Sequence, residues 1–172
     1  MLRAVAEPVP DRLFGTPELD GLVARMAAAL DRERDGVAIA APQIGESVRL
    51  FLVRHDRTVP HEPGETPEPE VGVFVNPRIV RRSQRKVEMD EGCLSVRGIY
   101  GRTRRHDRAT VRAQDASGRA FERGGGGLLA QIFQHEIDHL DGVLFIDHAE
   151  GLERHAPRAQ EEGEDASHGE VA

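Results

Sequence analysis

The 172-residue chain holds one cysteine, one tyrosine and no tryptophan. A single cysteine excludes an intrachain disulfide framework and any zinc site that needs two or more thiolates. Cys93 is left as a buried filler, a reactive thiol, or a metal ligand beside some of the eight histidines. No segment approaches the 18 apolar residues of a membrane span, and the first fourteen residues lack an apolar run of signal-peptide length. No membrane partner is expected. With no disulfide either, the reducing cytoplasm is the expected compartment. No repeat of solenoid period occurs.

Charge is uneven. The net charge is −7, yet Glu150 to the C-terminus carries seven acidic and two basic residues, and Arg78 to Arg108 carries ten basic and four acidic. Only Tyr100 is aromatic in that basic stretch, so base stacking has little support, nucleic-acid binding is not favoured, and DNA is not an expected partner. The cations read as solvated faces of strands and loops. The length suits one domain with a tail, and 38% hydrophobic residues suffice for a core because a chain of this size buries roughly 70% of its unfolded surface. The expected division is a catalytic domain over 1–148 and an acidic, disordered tail over 149–172.

Thr16 as N-cap, Pro17 at the first helical position and Glu18 in the first turn predict a helix with a stripe of Leu19, Leu22, Val23, Met26 and Leu30. Gly36 to Gly45 reads as a closely packed loop entering the core. Strands are expected at Arg49–Val53, Gly72–Pro77, Lys86–Met89, Ala109–Ala113 and Ala120–Glu122, with a proline-rich, mobile surface loop from His55 to Glu70. Asp115 to Gly118 is a good hairpin turn. After four glycines the period switches: Leu128, Leu129, Ile132, Phe133, Ile137 and Leu140 form a helical stripe ended by Gly142. The fold class is α+β, with strands between two helices.

The most informative segment is His135-Glu136-Ile137-Asp138-His139. On a helix, residues four apart share a face, so both imidazoles reach one ion, and Glu136 sits close enough to move a proton without being a ligand. The apolar residues flanking this polar run place it on a largely buried helix and argue against two solvated histidines. A third ligand remains to be found. Phe145 occupies the place where extended zinc-peptidase motifs put a histidine. Glu150 and Glu153, candidates for a metallopeptidase with a glutamate ligand, lie at the edge of the acidic tail, a poor place for a rigid site. Cys93, within Asp90-Glu91-Gly92-Cys93-Leu94-Ser95, is the better candidate, with Gly92 allowing close backbone approach.

Gly36 to Gln43 (GVAIAAPQ), Glu91 to Ser95 (EGCLS) and Gln134 to Gly142 (QHEIDHLDG) resemble, in order, the three signature motifs of the peptide deformylases. The resemblance runs from about Leu13 to Asp147. It implies that family's fold, with mixed or antiparallel strands packed around a central helix bearing the His-Glu-x-x-His motif. It also implies removal of the N-formyl group from the N-terminal methionine of newly made proteins, with release of formate. The implied ligands are Cys93, His135 and His139, with water in the fourth position, where a three-ligand site keeps a place open and the ion acidifies the water. Glu136 then takes the proton and passes it to the leaving amine. Gln43 and the backbone N–H of Leu94 match the oxyanion donors, and Glu91 with Arg105 matches an ion pair that braces the cysteine loop. The implied metal is Fe(II), with zinc, nickel or cobalt compatible with the same donors. The implied partners are N-formylmethionyl nascent peptides and, transiently, the ribosome.

The resemblance implies substrate contacts at Ala38, Gly92 and Tyr100, and four departures from the family pattern matter. Ala38 replaces the usual second glycine, which restricts the backbone or narrows the cleft. Arg97 replaces a proline, and Thr103 and Arg104 replace an apolar residue and a proline. Tyr100 stands where many members have an arginine that touches substrate. The acidic tail replaces the basic ribosome-binding helix of some members and suits phosphate-rich RNA poorly. A catalytically weak formyl-peptide or ribosome-binding paralogue is the non-enzyme alternative these departures raise.

Overall fold

The structure, a computed structural model, describes residues 1–155. Helix α1 (Pro17–Asp31) starts where its cap demands: Thr16 Oγ1 accepts from Leu19 N–H, and proline fills the first helical position. Leu19, Met26 and Leu30 from the expected stripe are buried.

A five-stranded antiparallel sheet follows, in the order β1 (Ala38–Ala40), β2 (Leu50–Arg54), β3 (Val71–Arg82), β6 (Arg108–Gln114) and β7 (Ala120–Gly126). It lies between the two helices. Leu50 and Leu52 of β2 join Leu19, Met26 and Leu30 of α1, while Phe51 and Val53 join Phe133, Ile137 and Leu140 of α2 (Leu128–Leu140). Burial on both faces explains why β2 is apolar from Leu50 to Val53 rather than alternating. Phe51, Phe74 and Phe133 supply the aromatic centre; Phe51 stacks on Phe74 with ring centroids 4.6 Å apart.

A second antiparallel sheet contains β4 (Lys86–Cys93), β5 (Val96–His106) and β8 (Glu150–Arg154), in that order. Alternation in β4 and β5 places Glu91, Thr103 and Arg105 on the buried side, and Glu88, Arg102 and Arg104 outside.

Three expectations change. Gly36 to Gly45 is not one loop: Ala38–Ala40 pairs with Phe51–Val53, and a 3₁₀ turn spans Ala41–Ile44. Small side chains fit a strand packed from both sides. The charged strand β5 escapes a hydrophobic pattern because its outward residues are arginines. The tail does not begin at 149: Glu150–Arg154 pairs with Ile99–Arg102 of β5. Backbone pairing needs no apolar side chains, so polarity concealed the strand. The rest of the expected tail, 156–172, lies outside the described residues.

The turn at Asp115 forms as expected, with Asp115 Oδ1 accepting from the N–H groups of Ser117 and Arg119. Gly142 follows α2 at φ +74°, and a Cβ there would lie 2.6 Å from the carbonyl oxygen of Arg3, so both conformation and space require glycine.

Candidate metal centre

Helix α2 presents His135 and His139 one turn apart, with ring centroids separated by 4.8 Å. Cys93 ends β4 at a register shift in the β4–β5 ribbon, which turns its thiol toward the helix. Cys93 Sγ lies 3.2 Å from His139 Nε2, and the two Nε2 atoms are 3.2 Å apart. These donors, all within 4.8 Å of one another, form the one such group of three among the described residues. Glu150 and Glu153, the alternative third ligands, sit exposed on β8 opposite Arg102 and Tyr100 and take no part in the group.

The donors are braced from behind. Glu91 Oε1 lies 2.6 Å from His135 Nδ1, which leaves Nε2 facing Cys93 and His139. Glu91 also accepts from Arg105 (Nη2 2.5 Å, Nε 3.0 Å) and from Thr103 Oγ1 (2.5 Å), and Arg105 reaches on to Asp138 at 2.5 Å. Burial pushes the Glu91 carboxyl up, but hydrogen bonds from His135 and Arg105 outweigh it and hold the group well below the usual carboxylate range. Gln131, one turn before His135, donates to the carbonyl of Asp90 at 2.8 Å.

Glu136 is 4% exposed, and its Oε2 has no hydrogen-bond partner. Burial pushes its carboxyl up to about 7, the range in which a side chain both accepts and releases protons near neutrality. Burial and the adjacent His135 lower His139 to about 3, so its imidazole is a neutral donor. For His135, burial acts downward, yet the Cys93 thiol and the Glu91 and Glu136 carboxylates raise it to about 10, so the site favours positive charge at that position. A thiol, two imidazoles with their Nε2 atoms converging, and an unpartnered buried carboxylate fit a divalent cation with one open position.

A cavity of about 290 Å³ opens beside the donors, lined by Val37, Leu94, Leu128 and Ile132 with Cys93, His135 and Glu136. Gln43 approaches the thiol from the 3₁₀ turn: its Oε1 accepts from Ala40 N–H at 2.8 Å, while its Nε2 donates to Ser95 Oγ at 3.0 Å and lies 3.7 Å from Cys93 Sγ. Tyr100 lies half exposed across Gly92, where a Cβ would come within 2.7 Å of its ring. Gly92 and Tyr100 line the cavity. Ala38, expected to restrict the backbone or narrow the cleft, is buried in β1 opposite Val53 and does not line the cavity, where Gly36 and Val37 form the wall.

Sequence reasoning missed Thr103, Gln131 and Asp138 as parts of this network. Their spacing carried a signal. Thr103 lies two residues before Arg105 on one strand face, and Gln131 four residues before His135 on one helix face. Only the partners were invisible.

An α+β chain that gathers a thiol, two imidazoles and a buried carboxylate at one apolar cleft has the equipment of a metal-dependent hydrolase. The polypeptide deformylase family model matches residues 1–155, and the chain belongs to that family. It is 43% identical to the peptide deformylase of Thermomicrobium roseum over 141 residues, covering 80% of this chain and 77% of that one. It is 46% identical to peptide deformylase 2 of Nostoc sp. over 134 residues, covering 77% and 70%. Its fold matches the Met-Ala-Ser-bound crystal structure of the class I type b peptide deformylase from Acinetobacter baumannii with TM-score 0.75 at 35% identity, covering 86% and 91%. The peptide deformylase of Legionella pneumophila matches with TM-score 0.75 at 39% identity, covering 87% and 80%. The chain is therefore a deformylase-type enzyme of a metal-dependent family that acts on N-formylated nascent peptides. No helix among the described residues is long and apolar enough to cross a membrane.

Proposed function

We propose that this chain removes the formyl group from the N-terminal methionine of nascent proteins and releases formate, with Cys93, His135 and His139 holding one divalent ion. The observation that carries this reading is the unpartnered, buried Glu136 carboxylate beside the Cys-His-His triangle and the cavity. Bound there, a divalent ion supplies Lewis acidity and lowers the pKa of water toward neutrality. Glu136 accepts a proton from the attacking water and returns it to the departing methionine nitrogen, a role matched to a carboxyl near 7. The Gln43 amide and the Leu94 N–H donate to the formyl oxygen as it gains negative charge, each contributing about 2.7–4 kcal/mol in the transition state. Leu94, Leu128 and Ile132 offer an apolar wall to the methionine side chain. Glu91 and Arg105 fix the tautomer and orientation of His135.

Fe(II) is the proposed ion, on family resemblance, since the same donor set also accommodates zinc, nickel or cobalt. The reading includes a cytoplasmic setting and transient contact with the ribosome, where the substrates arise. The Met-Ala-Ser bound by the Acinetobacter relative points to a formyl-Met-Ala-Ser assay. Anaerobically purified protein is expected to release formate from that peptide and to carry about one metal per chain. Glu136→Ala is expected to lose activity by roughly 10²–10⁴-fold while keeping its metal, and Cys93→Ser to lose the metal. Full activity in Glu136→Ala overturns the mechanism.

A further inference from the structure

Of the ten basic residues in the arginine-rich stretch, the proposed chemistry uses only Arg105. Four of its ten basic residues have carboxylate partners: Arg81 with Glu122, Arg97 with Glu33, Arg102 with Glu88, and Arg105 with Glu91 and Asp138. Among the described residues, Arg78, Arg82, Arg85, Lys86, Arg104 and Arg108 have no carboxylate within 4.0 Å. Three of these six, Arg82, Lys86 and Arg104, converge on one groove of about 400 Å³, bounded by the end of β3, the β4–β5 ribbon, α2 and the segment leading into β8.

The register explains the convergence. Lys86, Glu88 and Asp90 lie opposite His106, Arg104 and Arg102, so these side chains share the outer face of the ribbon, and Glu91, Thr103 and Arg105 take the buried face. Successive outward side chains on one strand stand about 7 Å apart, so Arg102 and Arg104 form a row that Lys86 and Arg82 extend. Three acids also line the groove. Glu88 lies 3.9 Å from Arg102, Asp138 is engaged by Arg105, and Glu150 starts β8. The groove shares no lining residue with the cavity beside Cys93.

A row of cations suits a chain of phosphates better than a single anion. No Phe, Tyr or Trp lines the groove, and His106 and His148 are its only rings, so bases have little stacking platform and contacts fall on the backbone. We propose that this groove binds the phosphodiester backbone of RNA without reading its bases. The choice of RNA rests on the deformylase reading, because nascent peptides emerge beside RNA; the groove's charge does not. It assigns polyanion contact to the β4–β5 ribbon of the folded domain.

The test is fluorescence anisotropy of a labelled oligouridylate titrated with full-length, metal-loaded protein, beside the formyl-Met-Ala-Ser assay. Binding is expected in the 10⁻⁴–10⁻⁶ M range, with a log–log salt slope of about −2 to −3 for three or four phosphate contacts. R82Q/K86Q/R104Q is expected to weaken binding by about tenfold or more and flatten the slope, with formate release kept within about twofold. R78Q/R85Q/R108Q removes the same charge outside the groove and is expected to weaken binding by less than about threefold. Equal losses in the two triple variants, or no RNA binding at low salt, overturn the proposal. So does displacement by inorganic phosphate beyond that by chloride at matched ionic strength, which marks a single-anion site. Binding that appears only after residues 156–172 are removed also overturns it, in favour of the acidic tail as occupant. Formate release without RNA binding defeats this inference alone, whereas RNA binding without formate release defeats the deformylase reading alone.

Discussion

Helix α2 faces two unlike surroundings. Toward the five-stranded sheet it offers Ala130, Phe133, Ile137 and Leu140, which pack with Phe51, Phe74 and Val111. Toward the β4–β5 ribbon it offers Gln131, His135 and Asp138, which meet Glu91, Arg105 and the carbonyl of Asp90. The first contact follows from removing apolar surface from water and tolerates changes that keep volume. The second desolvates charges, a cost offset only while each keeps its partner. The apolar side thus anchors the helix, and the polar side holds His135 in place. Glu136, with an oxygen left unpartnered, is where the fold leaves room for chemistry.

The contrast breaks most sharply at Glu91. Glu91→Ala leaves Arg105 and His135 without their shared carboxylate and is expected to cost about 3–5 kcal/mol of stability. The same change is expected to weaken metal affinity about 10–100-fold. Denaturant unfolding with metal titration checks both; an unchanged metal affinity would show that the brace does not orient His135. Phe133→Ala tests the other face. It is expected to cost about 3–5 kcal/mol through lost burial and the cavity left behind. Below its lowered melting temperature, metal content and formate release per folded molecule should match the parent chain. Parallel loss of metal would show that the two faces are coupled.

A smaller effect sharpens the comparison from a third place. Buried Asp56 is bonded to Arg54 at 2.7–2.8 Å, and that hydrogen bonding lowers its carboxyl to about 2 from the usual 3.8. The unfolded chain therefore takes up this proton at a higher pH than the folded one. Stability from this pair is present above about pH 4 and lost as pH falls toward 2. Asp56→Asn is expected to cost about 2 kcal/mol at neutral pH, with a flatter decline in acid. Acid unfolding followed by circular dichroism, with an identical slope in the two proteins, would remove Asp56 from the account.

Legibility in the sequence tracked how local the cause was. The cap at Thr16, the turn at Asp115 and the pairing of His135 with His139 each depend on residues within four positions, and all three took their expected form. The strands β5 and β8 were hidden because their outward residues are charged and β8 is held by backbone pairing. Within the site, Glu91 and Arg105 were legible through the resemblance of their motif, while Thr103, Gln131 and Asp138 were not, since each acts through a partner far along the chain. Ala38 went the other way. A motif position suggested substrate contact, and the sheet buried it.

The sequence by itself determined the helix that carries both histidines, the carboxylate between them and the family to which the three motifs point. Those rest on spacing and composition over a few residues. Cys93 was expected as the third donor from its motif, and the tertiary structure adds its placement, 46 residues before His139 and 3.2 Å from that imidazole. It also decided that Glu91 locks His135, and that Arg82, Lys86 and Arg104 share one groove. Such meetings depend on how strands register and pack, and that energy is spread over the whole core rather than written at the residues that meet.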